Sequence, residues 1–385
     1  MRFSLTAVVA ALAAIPQATA IIDIDEWDVL AGKALVNQVL YQFTKPRYTD
    51  SSCTPLKAAI RREWGTLSKR ERREYIDAVQ CLTQKPSQSD PTFAPGARTR
   101  FDDFVAVHIN QTMYIHTTGN FLTWHRYFTW AYEQALRNEC GYKGYQPYWS
   151  WNKYADDPVN SPIFDGSEYS MGSDGSYIPH EGPEAGTGIF LEPGNGGGCV
   201  MKGPFKDLQV NLGPLIVSLK IPGLEAQNGT GLNYNPRCLR RDVNKDAASW
   251  TTDEHVIDLL ENYNDITSFQ NRMQGDFPNG YLGIHSGGHY TISGDPAGDF
   301  FTSPGDPIFY LHHAAIDRLF WTWQNTVPKD RTFVVQGPTV LPGVGIPNTR
   351  NATLDDLQYF SVLAPDRTIR DLLDTTGGPF CYVYL

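Results

Sequence analysis

Apolar residues recur at helical spacing in several stretches of this chain. Phe121, Trp124, Phe128, Tyr132 and Leu136 fall on one stripe, and the same period later carries Phe309, Ile316, Phe320 and Trp323. The pattern predicts helices over residues 68–85, 119–140, 253–275 and 306–327. Ser68 and Glu71 have the spacing of a capping box at the first of these. Asp306 suits the N-cap of the last, with Pro307 at its first helical position. Between the second and third helices, residues 165–198 are rich in glycine, serine and proline and read as a long surface excursion at the rim of a pocket. From Thr332 the pattern turns proline-rich and strand-like. The expectation is a mainly α fold, a four-helix bundle whose core carries a site, with long loops and few short strands.

Both long stripes contain a histidine, His125 in the first and His313 in the second, and His108, His116, His285 and His289 stand just ahead of them. A lone histidine in an apolar stripe reads as a hydrogen-bonded core residue. Six together do not, because each buried polar group without a partner costs about 1–3 kcal/mol, a cost that metal coordination removes. His285 and His289 are four residues apart, so on a helical turn both rings can face one ion. Gly287 and Gly288 between them disfavour a helix by about 1 kcal/mol each relative to alanine, which marks a place where the backbone approaches something closely. The third ligand of this set is His312 or His313, and spacing alone does not choose. Imidazole suits Cu, Zn, Fe and Ni, and the near absence of carboxylates argues against Mg, Ca and a bridged di-zinc hydrolase. Two adjacent three-histidine sites point to two copper ions, with dioxygen as co-substrate.

Composition narrows the setting. Residues 1–20 read as a secretory signal peptide, with Arg2 at the start, an apolar run from Leu5 to Ala14 and Ala18-Thr19-Ala20 before the cut. That run is shorter than the roughly 20 residues a membrane span needs, so residues 21–385 are expected as one secreted, extracellular catalytic domain. The formal charge of −10 and the lack of any basic run exclude nucleic acid as a partner, and nothing suggests a membrane. Six cysteines in such a chain imply three disulfides; fifteen pairings are possible and the sequence does not choose among them, though a bond between Cys199 and Cys238 would staple the glycine-rich middle. Asn110, Asn228 and Asn351 lie in sequons for N-glycans. Occupancy of Asn110, between two proposed ligands, requires that segment to reach the surface.

Several strings carry a resemblance. His116 and His125 are separated by eight residues, and His125 closes Asn120-Phe121-Leu122-Thr123-Trp124-His125-Arg126. Further on come Pro147-Tyr148-Trp149-Ser150-Trp151 and Asp306-Pro307-Ile308-Phe309-Tyr310-Leu311-His312-His313, followed by Asp317-Arg318. These strings, within about residues 100–325, resemble the tyrosinase and catechol oxidase family of type-3 copper proteins, above all its short secreted fungal polyphenol oxidases. The resemblance implies a tyrosinase-like fold and a dinuclear copper site, the first copper held by His108, His116 and His125 and the second by His285, His289 and His313. It favours His313 over His312 because the family uses the second histidine of that pair. Tyr382-Val383-Tyr384 resembles the tyrosine motif that closes the family's catalytic domain. Almost nothing follows it, which implies an enzyme active as secreted.

Departures from the family pattern matter as well. Many members tie the second ligand of the first copper to a cysteine through a thioether, but no cysteine is near His116 in sequence, so none is expected. Ser150 replaces the family's aspartate, with an expected effect on local hydrogen bonds. Four residues are candidates around the reaction. Ser286 follows the first ligand of the second copper, where monophenol-hydroxylating relatives often carry asparagine to orient a water acting as base. Phe300, with Phe301 beside it, matches a phenylalanine that covers the first copper in plant catechol oxidases. Phe309 reads as a wall against the ligand rings. Asp317 either fixes the tautomer of a ligand imidazole or pairs with Arg126 or Arg318. The implied activity is oxidation of o-diphenols (catechols) to o-quinones with weak or no monophenol hydroxylation. An o-aminophenol oxidase, a tyrosinase with full monophenolase activity and a hemocyanin-like oxygen carrier are the alternatives.

Overall fold

The computed structural model describes residues 24–44, 53–54, 57–186, 188–346 and 350–385. The proposed leader, residues 1–20, lies outside them. Eight helices longer than two turns stand among the described residues: α1 (Glu26–Thr44), α2 (Lys69–Leu82), α3 (Arg100–Ile115), α4 (Phe121–Glu139), α5 (Asp253–Asn262), α6 (Ile266–Gln274), α7 (Ile284–Ile292) and α8 (Ile308–Thr326). The strands are two to four residues long and pair only two at a time. The mainly α expectation holds, with long loops and few strands.

The capping box at α2 is present in both halves: Ser68 Oγ accepts from the Glu71 amide, and the Glu71 carboxylate accepts from the Ser68 amide. The helix expected over 306–327 starts at Ile308, so Pro307 rather than Asp306 stands at the N-cap position, and Asp306, one residue before it, accepts the Ile308 amide at 2.9 Å. Its carboxylate also receives the Arg241 guanidinium at 2.7 and 2.9 Å.

Two expectations need correction. The stretch 253–275 is two helices, because Tyr263 leaves helical geometry and Asp265 opens α6 by accepting the Ser268 amide. The four helices that carry the histidines are α3, α4, α7 and α8; α2 instead packs outside against α4. Helix α3 escaped the periodicity test because residues 100–109 are buried on every side, leaving no apolar stripe to detect. Its N-terminal signal was there, since Thr99 and Asp102 form a second capping box.

The stripes of α4 and α8 meet face to face through aromatic rings. Tyr132 lies flat on Tyr310 at 3.4 Å between centroids, and Phe128 stacks on the other side at 5.9 Å from the same ring. All six cysteines are paired, as Cys53–Cys381, Cys81–Cys140 and Cys199–Cys238. The last staples the glycine-rich segment, a pairing the sequence left open.

The chain closes on itself through a parallel pairing of strand Ala59–Arg61 with strand Tyr382–Tyr384. This pairing brings three side chains onto Asp317 of α8, where Arg126 of α4 joins them. The Tyr382 and Tyr384 hydroxyls each donate to it at 2.6 Å, Arg126 of α4 at 2.5 Å and Arg61 at 3.4 Å. All five residues are buried, and Glu133 balances Arg61 at 3.0 Å. Asp317→Ala should leave two buried guanidiniums facing one carboxylate and lower stability by about 3–5 kcal/mol. Equilibrium denaturation showing a loss below about 1 kcal/mol, the usual size for an exposed pair, would contradict this reading.

Candidate metal centre

His108 lies on α3, His116 directly follows its last turn, and His125 lies on α4. Each of the three has its Nδ1 on a backbone carbonyl: His108 on Phe301 at 2.8 Å, His116 on Thr112 at 3.0 Å and His125 on Phe121 at 2.8 Å. A carbonyl only accepts, so each Nδ1 carries the proton and each Nε2 keeps a lone pair. The Nε2 atoms of His108 and His125 are buried without a hydrogen-bond partner. Buried lone pairs of this kind suit a cation.

His285 and His289 lie on α7 and His313 on α8. The Nε2 of His289 stands 3.2 Å from the Nε2 of His285 and 3.2 Å from that of His313. Imidazole nitrogens bound to one ion at about 2.0 Å in tetrahedral directions stand about 3.3 Å apart. The second triplet therefore has the spacing of a metal site. The two sites adjoin, with the His125 and His313 rings stacked at 4.5 Å and 18°. Neither cluster includes a carboxylate.

His312 lies close enough to this second cluster to be counted with it. Its own bonds occupy both ring nitrogens. The Trp151 indole donates to its Nδ1 at 3.0 Å, and its Nε2 donates to the His285 carbonyl at 3.0 Å. Both nitrogens are thus committed, and the ring fixes the backbone that carries His285. This also explains a glycine between the α7 ligands: a Cβ on Gly288 would meet the His312 ring at 2.2 Å. Trp151 was missed as a positioning residue, although its string was noted, because no spacing rule ties residue 151 to residue 312.

Burial keeps all seven imidazoles neutral. It pushes His116 down to about 4 and His312 down to about 3, and it holds the other five well below the usual histidine value, with neighbouring rings adding to the effect. Neutral imidazole is the form that binds metal.

The four candidates around the reaction divide. Phe300 lies against His116 at 4.4 Å between ring centroids, over the first triplet, while Phe301 contributes its carbonyl to His108. Phe309 stacks on His313 at 4.1 Å and stands edge-on to His108 at 5.6 Å, forming a wall against rings of both triplets. The Ser286 hydroxyl donates to the Gln274 carbonyl at 2.8 Å. Asp317 takes the ion-pair reading: its carboxylate faces Arg126, Arg61 and two tyrosines rather than a ligand imidazole. With every cysteine in a disulfide, no sulfur remains for a thioether to His116. Ser150 donates to the Asn152 side chain at 2.8 Å, a local bond as expected. The glycine-rich excursion reaches α7, where Tyr290, next after His289, donates to the Glu184 carbonyl at 3.4 Å.

Six convergent imidazoles without a carboxylate define a dinuclear copper centre of the dioxygen-using class. The family model for the common central domain of tyrosinase matches residues 98–326, and the chain belongs to that family. It is 40% identical over 364 residues to the tyrosinase-like protein orsC of Emericella nidulans, covering 90% of this chain and 92% of that one. It is 41% identical over 333 residues to tyrosinase P of Aspergillus terreus, covering 84% and 91%. A polyphenol oxidase from Thermothelomyces thermophila, solved as a point mutant, superposes with a TM-score of 0.86 at 41% identity, covering 94% of this chain and 98% of that chain. The protein is a copper oxidoreductase that acts on phenolic substrates with dioxygen.

The hydrogen bonds separate the adjacent histidines experimentally. His313→Ala should lose the second copper, whereas His312→Ala should keep both with lowered thermal stability, read by metal analysis and thermal unfolding. Equal copper loss in the two variants would contradict the assignment.

Proposed function

We propose that this enzyme oxidises o-diphenols to o-quinones and hydroxylates monophenols weakly, with His108, His116 and His125 holding one copper and His285, His289 and His313 the other. When bound, the copper pair supplies the two-electron couple that links diphenol oxidation to dioxygen reduction. The chain's own residues hold and shield it. The three carbonyls on His108, His116 and His125 fix the rings so that no proton competes for the first metal. Phe300 and Phe309 exclude water from the ligand rings. His289 is half-buried while the other five ligands are buried, so the phenol approaches on its side.

The observation that carries the preference for diphenols is the bond from Ser286 to the Gln274 carbonyl. A monophenol must lose its proton at the site, and a water acting as base needs a fixed acceptor. Ser286 offers only a hydroxyl oxygen, held by its bond to the Gln274 carbonyl, whose lone pairs accept more weakly than an amide or carboxylate oxygen. The neighbouring side chain, Gln274, is a neutral amide whose Oε1 accepts the Thr117 amide at 2.7 Å. Neither group supplies a carboxylate. Phe300 over His116 further restricts bulky rings.

Secretion is part of the same reading. It is supported by the leader-like residues 1–20 and by three disulfides with no free cysteine among the described residues. Among the described residues no helix is long and apolar enough to cross a membrane.

Turnover of dopamine should exceed that of tyramine by at least about a hundredfold, the size of a missing general base. Ser286→Asn should raise tyramine hydroxylation, and Phe300→Ala should widen acceptance of bulky diphenols. Oxygen-uptake rates that match for tyramine and dopamine, without a lag or added diphenol, would contradict the proposal. Faster uptake with o-aminophenol than with catechol would favour the aminophenol reading.

A further inference from the structure

Away from the copper centre, the exposed end of α3 faces the segment that follows residue 357 across a trough. Its larger hollow holds about 550 Å³ and is lined by Asn110, Gln111, Tyr359, Ser361, Pro365 and Asp366 among others. A second hollow of about 340 Å³ shares Gln111 and Tyr359 and continues past Tyr114. Tyr359 is 56% exposed and Tyr114 42%, so both present ring surface to solvent. Ser361 holds a left-handed backbone at φ 50°, a conformation unfavourable for a side-chain-bearing residue, where the chain turns to form the far wall.

Asn110 stands on the rim of this trough and is exposed. It opens the sequon Asn110-Gln111-Thr112. We propose that the trough is the seat of an N-glycan on Asn110, whose first two N-acetylglucosamine rings lie along Tyr359 with their polar groups toward Gln111 and Asp366. Three features argue for a sugar in particular. The attachment point lies at the trough itself, so the occupant is held at high local concentration without a separate binding event. The lining alternates an aromatic face with an amide, a hydroxyl and a carboxylate, the mixture that a ring with one apolar face and many hydroxyls requires. The larger hollow is within the roughly 300–1,000 Å³ of sites that enclose a ligand of two-sugar size.

The seat has a structural consequence. His108 lies two residues before Asn110 on α3, and the opposite wall is tied to α4 through bonds from Trp124 to the Tyr359 carbonyl at 3.3 Å and from Tyr127 to the Pro365 carbonyl at 3.1 Å. A glycan bridging the trough clamps the two helices of the first copper site from outside. Its attachment requires passage through the secretory route, so the inference rests on the secretory reading above.

The test uses the copper-loaded enzyme secreted from a yeast host that adds high-mannose glycans. Native endoglycosidase H digestion, followed by glycopeptide mass spectrometry, measures release at each sequon. Release at Asn110 should be about tenfold slower than at Asn228, which lines neither hollow, the size expected of one aromatic contact. Tyr359→Ala should bring Asn110 to the Asn228 rate with copper content unchanged. In the unaltered chain, release at Asn110 should raise amide hydrogen exchange in residues 359–366. Release at Asn110 as fast as at Asn228, or unchanged exchange after release, would overturn the proposal. Glycans at Asn228 and Asn351 with a bare Asn110 would overturn it alone, while three bare sequons would overturn the secretory reading with it.

Discussion

Seven neutral imidazoles share one interior, and what holds them there is that most of their ring nitrogens are committed either to a hydrogen bond or to a converging cluster. At the first site each Nδ1 proton goes to a backbone carbonyl, from Phe301, Thr112 or Phe121, and each Nε2 faces inward. At the second site the Nε2 of His289 stands 3.2 Å from those of His285 and His313, a spacing that one shared ion satisfies. His312 belongs to neither set because Trp151 and the His285 carbonyl take both of its nitrogens. Gly288 on α7 and the aromatic walls follow from keeping those rings in place.

The two sites are coupled through the frame as well as through the rings. His125 and Arg126 are neighbours on α4, and His313 and Asp317 are one turn apart on α8. The Arg126–Asp317 pair therefore locks together the helices that carry His125 and His313. The closing strand completes the lock by placing two tyrosine hydroxyls on the same carboxylate. Asp317 thus acts on the site by fixing the two helices, at a distance from any imidazole.

Much of this was legible in the sequence, and the remainder has physical reasons. The stripes of α4 and α8 were readable because each has one buried face. Helix α3 was not, since residues 100–109 are buried all round and periodicity vanishes, although its Thr99–Asp102 capping box remained as a signal. The break between α5 and α6 was missed because apolar spacing continues across it, while Asp265 offered a cap that was passed over. Six histidines stood out by clustering, and Gly288 pointed to a close approach whose partner proved to be His312. The preference for His313 over His312 rests on family resemblance at the sequence level; in the structure it is supported by the His312 bonds to the His285 carbonyl and to Trp151, the latter 161 positions away, which no local spacing encodes.

The central claim is that these imidazoles form two complete, carboxylate-free copper sites in one chain. Metal analysis of the purified protein, combined with the near-ultraviolet spectrum after mild peroxide treatment, tests it most directly. The account predicts two coppers per chain and the strong absorption of an oxygenated copper pair. One copper per chain, or two zincs with no such absorption, would contradict it.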